Sequence, residues 1–522
     1  SDAIHPGFCF LSERAPFARL VQESGIIWIG PSPEAIEQMG DKMTARQTMR
    51  DAGVPVIPGE EVESEDEHEA LQLLLDSSTR VGYPLLLKAS SGGGGKGMRA
   101  VHDPADFLQA AEGARREAVA AFGDGRIYIE RLLNGSKHIE IQILADRHGR
   151  TIHLGERECS VQRRHQKVFE EAPGPTMTPE LREAMGQAAV QAAQAVDYEG
   201  AGTVEFLLAP SGEFFFLEMN TRLQVEHPVT ELITGIDIVE EMIKIAFGKK
   251  LRLTQKDIKL NGWSFESRIY AEDPYKDFLP SIGRLKRYLP PKEENHKNQI
   301  IRNDTGVKEG DEITIYYDPM IAKLSTWGQT RDESIKLMLF ALDQFMIEGV
   351  RNNISFLSAV FSNKGFKDGN ISTSFIEQHF SAGFKGLSFK TNEEILYLSL
   401  LALNFDQIKR SNKQEKVQYQ FFVEIIDEFD GQKYLSKEYN IIDEGDFFSI
   451  CKLGGIKIYN KVYKNLKIRF KKSFENNLCH FYFFYKNDII LDFYCETHFL
   501  YPFTVLKYRG IYVNGILKNK NS

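Results

Sequence analysis

Residues 202–226 read GTVEFLLAPSGEFFFLEMNTRLQVE. Two apolar runs flank Pro210-Ser211-Gly212, the pattern of a β-hairpin. With Ser211-Gly212 as a two-residue loop, Glu205 falls directly opposite Glu218. Like charges opposed across a strand pair are destabilising, so this pair calls for a cation or a shared proton. The second strand is expected to run on, with Glu218, Asn220, Arg222, Gln224 and Glu226 on one face. Leu217, Met219, Leu223 and Val225 then fill the alternate positions. Oxygen ligands from Glu205, Glu218 and Asn220 suit Mg²⁺ or Mn²⁺, which take carboxylates together with phosphate oxygens. A solvated amphipathic strand is the alternative, but ordinary solvated faces rarely set Glu against Glu.

The length of 522 residues leaves room for several domains, and 42% hydrophobic with 26% charged residues is the composition of a globular protein. A net charge of −9 gives no reason to expect nucleic acid or an anionic membrane as partner. Cys9, Cys159, Cys451, Cys479 and Cys495 show neither a CxxC pair nor a disulfide-framework spacing, which predicts reduced thiols. With no bilayer-length apolar run and no signal-peptide pattern, the cytoplasm is the expected compartment, or the mitochondrial matrix in a eukaryote. Near residue 250 the usage shifts: Asn occurs before it only at Asn134 and Asn220, and is frequent after it. Two joined sequence sources would explain so uniform a change.

The chain opens on a βαβ rhythm that lacks its first strand, so the natural N-terminus is expected to lie upstream. Ser32 and Glu34 mark a helix start, and GDKMTARQTMRDAGVPV opens another helix with Lys42 near its beginning. The strand Pro84–Ala89 leads into SSGGGGKG at 90–97. Gly92, Gly94 and Gly97 satisfy GxGxxG, but a dinucleotide fold needs a helix directly afterwards, and Met98–Val101 reads as a strand. A Walker A loop fails as well, because Met98 follows Gly97. What remains is a glycine-rich hairpin whose backbone N–H groups can close over phosphates beside Lys88 and Lys96. Further strands are expected at 126–133 and 137–143, and a helix at 180–197. The basic run from Gln162 to Lys167 reads, on its own, as a solvated loop. A strand through Glu266, Arg268 and Tyr270 turns those three to one side. After an apolar helix at 392–405, short aromatic-rich strands at 421–425, 456–462, 466–470 and 481–484 predict a separate antiparallel β-domain.

Taken together, HPGFCFLSE, IGPSPEAI, MGDK, LLLKASSGGGGKGMR, HIEIQIL, ERECSVQRRHQKV, GAGTVEF, EMNTRLQVEHPVTE and ESRIYAEDP closely resemble the biotin carboxylases. These are the ATP-grasp components of biotin-dependent acyl-CoA carboxylases. The resemblance covers residues 1 to about 380; NGWSFESRIYAEDPYKDFLPSIGRL, YYDPMIAKL and the β-rich 385–522 are most similar to the α subunits of propionyl-CoA carboxylases. It implies an α/β and α+β fold in four parts. Residues 1–56 would be a partial N-terminal domain and linker, and 57–132 an ATP-grasp lid with the glycine flap. Residues 133–384 would be the ATP-grasp core and C-terminal domain, and 385–522 a helix with an antiparallel β-barrel-like subunit-contact domain.

The resemblance also implies roles. Lys42 and Lys88 would hold ATP phosphates under a flap containing Gly93, Gly94, Gly95 and Gly97. Glu130, Leu133 and His138 would contact adenine and ribose, with Gln162 and His165 also at the ATP site. Glu205, Glu218 and Asn220 would bind the divalent metals. Lys167, Arg222, Gln224 and Val225 would hold bicarbonate, Glu226 would remove its proton, and Arg268 would stabilise the biotin enolate. Attack of one anion on another needs charge neutralisation and positioning more than covalent help. A carboxyltransferase β subunit and a biotin carrier domain are the implied partners, in a hetero-oligomer. Phe8-Cys9 departs from the family's usual Tyr-Gly, and the chain has neither the family's first seventy-five or so residues nor its Ala-Met-Lys-Met biotinylation motif. Two other readings stand beside this one: a carbamoyl-phosphate-type bicarbonate-phosphorylating ligase, and a mainly structural subunit.

Overall fold

The structure, a computed structural model, describes residues 1–384 apart from 63–66, 90–97, 124, 165, 297 and 382, and beyond them the backbone of eight strands between 418 and 519. The chain divides into two units, 1–384 and 385–522. The glycine flap, His165, the helix expected at 392–405 and the strand expected at 456–462 lie outside the described residues.

The first unit is organised on a nine-stranded antiparallel sheet. Its order is Phe214–Asn220, Gly200–Leu208, Lys137–Ala145, Thr151–Glu158, Phe169–Ala172, Trp263–Tyr270, Met320–Gly328, Gln299–Thr305 and Glu294–His296. The composition shift near residue 250 therefore falls inside one sheet, since Phe169–Ala172 pairs with Trp263–Tyr270 across it. The alternating strand pattern divides each face. Ile139, Ile141 and Ile143 pack with Met185, Ala189 and Phe206 against helix Pro179–Gln194, while His138, Glu140 and Gln142 take the other face. Thr178 caps that helix by accepting from the Leu181 N–H.

The opening βαβ rhythm is present: Ala3–Ile4 pairs in parallel with Ile27–Trp28, with helix Ala15–Glu23 between them. Ser32 and Asp41 cap the next two helices, Pro33–Gly40 and Lys42–Asp51, so Lys42 sits at a helix start as expected. The segment expected to be a lid holds a four-stranded sheet in the order Gly59–Val62, Ile127–Arg131, Leu85–Ala89 and Arg99–Val101. Leu85, Leu87, Ile127 and Ile129 bury against Phe107, Ala111, Ala114 and Ala118 of helix Phe107–Phe122. The strands on either side of the glycine run pair with each other, Leu85 against Val101. That is a hairpin and not a strand–loop–helix phosphate loop.

In the second unit the strands form one antiparallel sheet whose end strands are Phe448–Lys452 and Leu466–Ser473. It contains the expected strands at 421–425, 466–470 and 481–484.

Candidate active site

The expected opposition of Glu205 and Glu218 is present, but the turn that produces it differs from the expected one. Leu208 pairs with Phe214, so the loop is five residues long, and that register alone would set Glu205 against Leu217. A bulge between the two pairs advances the second strand by one residue and brings Glu218 into place. The strand also ends sooner than its alternation predicts, at Asn220. Arg222 and Gln224 lie in irregular chain, and Glu226 is the N-cap residue of helix His227–Thr234. Pro228 in the first turn of that helix fixes where the extended chain must stop.

On its other side Glu205 faces Glu140, and Glu140 faces Arg157, so a row of charges crosses four strands. Lys167 is the cation that this row requires. Its Nζ lies 2.5 Å from Glu140 Oε2, 2.7 Å from Glu226 Oε1 and 3.0 Å from Glu205 Oε1. The short strands Gln162–Arg163 and Gln166–Lys167 form the hairpin that delivers it. The reading of this run as a solvated loop is thereby corrected: the Lys167 side chain is 12% exposed, because three carboxylates draw it inward.

Arg268 closes the far side, with Nη2 2.9 Å from Glu226 Oε2 and Nε 2.8 Å from Glu170 Oε1. His138 Nε2 is 2.7 Å from Glu205 Oε2, and Gln162 Nε2 is 2.7 Å from His138 Nδ1. Asn220 Nδ2 donates to Glu205 Oε1 at 2.9 Å. Arg222 stands at the rim, bonded to Asn220 Oδ1, Gln224 Oε1 and, at 2.9 Å, Glu13 Oε2. Val225 carries its place through its backbone, whose carbonyl accepts from Lys323 Nζ at 2.8 Å.

A second group gathers on the four-stranded sheet. Glu130 is ion-paired with Lys88 and, at 2.6 Å, with Arg46 Nη2. Leu133 is half-buried in the chain between this strand and the one carrying His138. Burial lowers the Lys42 ammonium, while Glu218 and Glu130 act on it in the opposite sense.

The electrostatics follow from these neighbours. Burial alone would raise the Glu226 carboxyl, but Lys167, Arg268 and Arg157 outweigh it and hold it well below the ordinary carboxylate value. Burial would also raise Glu205, and Lys167 and His138 likewise reverse it. For Glu218 the same cations, with Lys42, do not prevail. Desolvation and the neighbouring Glu205 push it up, although the residue is exposed at the edge of the site. That imbalance, with the oxygens of Glu205 and Asn220 close by, fits a hard divalent cation. Ligand atoms of His138, Glu140 and Glu205 also lie within 4.8 Å of one another, but Lys167 and Arg157 already neutralise Glu140.

Known proteins resemble the first unit of the chain along its length. Residues 1–36 match the family described as biotin carboxylase, N-terminal domain, and residues 266–378 the biotin carboxylase C-terminal domain. Residues 41–254 match the carbamoyl-phosphate synthase L chain ATP-binding domain. A biotin carboxylase from Nostoc sp. is 50% identical over 378 residues, which cover 72% of this chain and 83% of that protein. The chain belongs to the biotin carboxylase family. The biotin carboxylase domain of Hydrogenobacter thermophilus 2-oxoglutarate carboxylase is 46% identical with a TM-score of 0.67. That match covers 73% of this chain and 82% of the solved one, a structure in complex with MgADP, ADP and bicarbonate. The propionyl-CoA carboxylase alpha chain of Ruegeria pomeroyi is 50% identical over 403 residues. There the match covers 74% of this chain but 59% of the relative, so the chain spans little more than half of such α chains.

Sequence alone points to none of Glu140, Arg157, Glu170 and Lys323, whose side chains contact the expected site residues or one another. Glu140 was available in principle: HIEIQIL alternates, and its His and Glu share a face. Arg157, fully buried and bonded to Glu140, Gln142, Thr203 and Thr230, carries no local signal, because its partners come from three other elements.

Proposed function

We propose that the chain carries out ATP- and bicarbonate-dependent carboxylation of biotin on a carrier domain, as the biotin carboxylase component of an acyl-CoA carboxylase of the propionyl-CoA type. The observation that carries this reading is the Glu226 carboxylate, fully buried and gripped from opposite sides by Lys167 and Arg268. It is an ionised base at the meeting point of two cations that can each receive an anion.

In this reading bicarbonate enters between Lys167, Arg222, Gln224 and the Val225 backbone. As it takes over part of the Lys167 charge, the force holding Glu226 acidic weakens, and Glu226 can accept the bicarbonate proton. The freed oxygen attacks the γ-phosphorus of ATP, and ADP leaves. Lys42 and Lys88 orient the phosphates under the 57–132 lid with its Gly93, Gly94, Gly95 and Gly97 flap; Glu130, Leu133, His138, Gln162 and His165 line the nucleotide end. Glu205, Glu218 and Asn220 would hold Mg²⁺ or Mn²⁺, which would supply the neutralising charge for two anions to meet. The carboxyphosphate so formed splits into CO₂ and a basic phosphate trianion that can take the ureido N–H proton of biotin, and Arg268 stabilises the resulting enolate as it takes up the CO₂.

The remaining assignments belong to the same proposal: 1–56 as partial N-terminal domain and linker, 133–384 as core, and 385–522 as the contact for a carboxyltransferase β subunit. So does location in the cytoplasm, or in the mitochondrial matrix of a eukaryote. Among the described residues no helix is long and apolar enough to cross a membrane. A carbamoyl-phosphate-type ligase would share the nucleotide site but has no use for Arg268; the match of 266–378 to the biotin carboxylase C-terminal domain weighs against it. ATP hydrolysis with Mg²⁺ and bicarbonate, with and without free biotin, tests the proposal: biotin-stimulated turnover is expected, and its absence with ATP still bound would favour a structural subunit.

A further inference from the structure

The turn carrying Glu226 is held from a side with no marked motif. Lys323, 5% exposed, lies in strand Met320–Gly328. The register sets it directly opposite Arg268 on one neighbouring strand and Asp304 on the other. Arg268 reaches the Glu226 carboxylate at 2.9 Å, while Lys323 Nζ donates to the Val225 carbonyl at 2.8 Å. Two cations from one cross-strand row thus grip the same turn, one by its side chain and the other by the peptide just before it.

The surroundings direct the ammonium to that carbonyl. Asp304 Oδ2 lies 3.3 Å from Nζ, and the Phe8 ring stands 5.6 Å away. Asp304 is itself fixed by Arg302 at 2.9 and 3.0 Å, and Arg302 reaches Glu231 in the helix that starts at this turn, at 2.7 Å. Between Asn220, where the strand ends, and His227, where the helix begins, the backbone has no ladder to define it. A buried ammonium is costly without hydrogen-bond partners, so this one is strongly bound to the geometry it makes.

We propose that Lys323 is a positioning residue for Glu226: by holding the Val225 carbonyl, it sets the placement of the base and of the Val225 backbone toward bicarbonate. This rests on the reading of Glu226 as the general base. Lys323→Met keeps the stem of the side chain and leaves Asp304 its Arg302 partner, so the fold has no new unpaired carboxylate at that position.

The test measures bicarbonate-dependent ATP turnover of the full chain, with separate KM values for ATP and bicarbonate, and the rise in Tm that bicarbonate induces. Lys323→Met is expected to lower kcat/KM for bicarbonate by about 10- to 100-fold, the range for losing a hydrogen bond to a charged group. The bicarbonate-induced rise in Tm shrinks with it, while the KM for ATP stays put; the Tm without bicarbonate falls, because a buried cation is lost. Lys323→Arg, which keeps the charge but not the reach, falls between; it carries the test alone if the methionine variant does not fold. Wild-type kcat/KM for bicarbonate in these variants overturns the inference, as does an equal loss toward ATP and bicarbonate. A wild-type chain without bicarbonate-dependent turnover overturns the reading of Glu226 itself, and the inference with it.

Discussion

Lys167 and Glu226 are joined by a 2.7 Å ion pair in which the carboxylate is fully buried and the ammonium nearly so. The same ammonium contacts Glu140 and Glu205, so one cation balances three carboxylates brought from three elements. Removing either partner of such a buried pair is expected to be far costlier than the pair is stabilising. An arrangement of this kind is suited to exchanging one anion for another.

The acid limb of the pH profile follows from this pair. Glu226 is held below its ordinary value of 4.5 by Lys167, Arg268 and Arg157 against the opposing effect of burial. The free chain therefore keeps this carboxyl ionised throughout the range above that value. The profile of kcat/KM for bicarbonate, which reports the free enzyme, should show no fall between pH 7 and 5 that Glu226→Asp moves. A limb in that range displaced by this substitution would contradict the assignment.

His138, Lys42 and Lys167 all act on Glu218, but burial together with Glu205 outweighs them and raises it. Glu218→Gln should leave the fold intact, since the residue is exposed at the edge of the site. It should raise the Mg²⁺ concentration for half-maximal ATP turnover by at least about tenfold, the cost of losing even an outer partner of a metal. A titration of turnover against Mg²⁺ decides this, and an unchanged midpoint removes Glu218 from the ligand set.

On the opposite face of the sheet Glu158 is buried, its Oε2 without a partner among the described residues, and desolvation lifts it to about 7. Unfolded, it ionises near 4.5. Below that value both states are protonated and it contributes nothing. Between 4.5 and about 7 the unfolded chain gives up the proton and the folded chain keeps it, so stability falls as pH rises, and above about 7 the penalty is constant. Glu158→Gln, which keeps an oxygen to accept from Ser160, should therefore gain stability relative to wild type more at pH 8 than at pH 5. Urea unfolding at the two pH values measures it; an equal difference at both would show that Glu158 is ionised in the folded chain throughout.

What the sequence made legible has a physical pattern. The Glu205–Glu218 opposition was readable because both residues lie in one hairpin and strand periodicity is local, though its compensating bulge was not. The glycine hairpin was separable from a phosphate loop because Met98–Val101 continues as strand, and Arg99–Val101 does pair with Leu85–Leu87. Lys167 looked like solvated surface because a run of basic residues says nothing about which carboxylates will meet it. Arg157 and Lys323 were invisible for the same reason: their partners are separated from them by up to about a hundred residues. Resemblance to a family supplied Lys167, but it did not supply the two residues that only the register brings in.

The most direct measurement is biotin carboxylation by Glu226→Gln beside wild type, with Mg²⁺, ATP and bicarbonate, and with ATP binding measured separately. Wild type should turn over, and the variant should bind ATP normally while carboxylation falls by about 10²- to 10⁴-fold, the contribution of a positioned base. Carboxylation at the wild-type rate by Glu226→Gln would contradict the account at its centre.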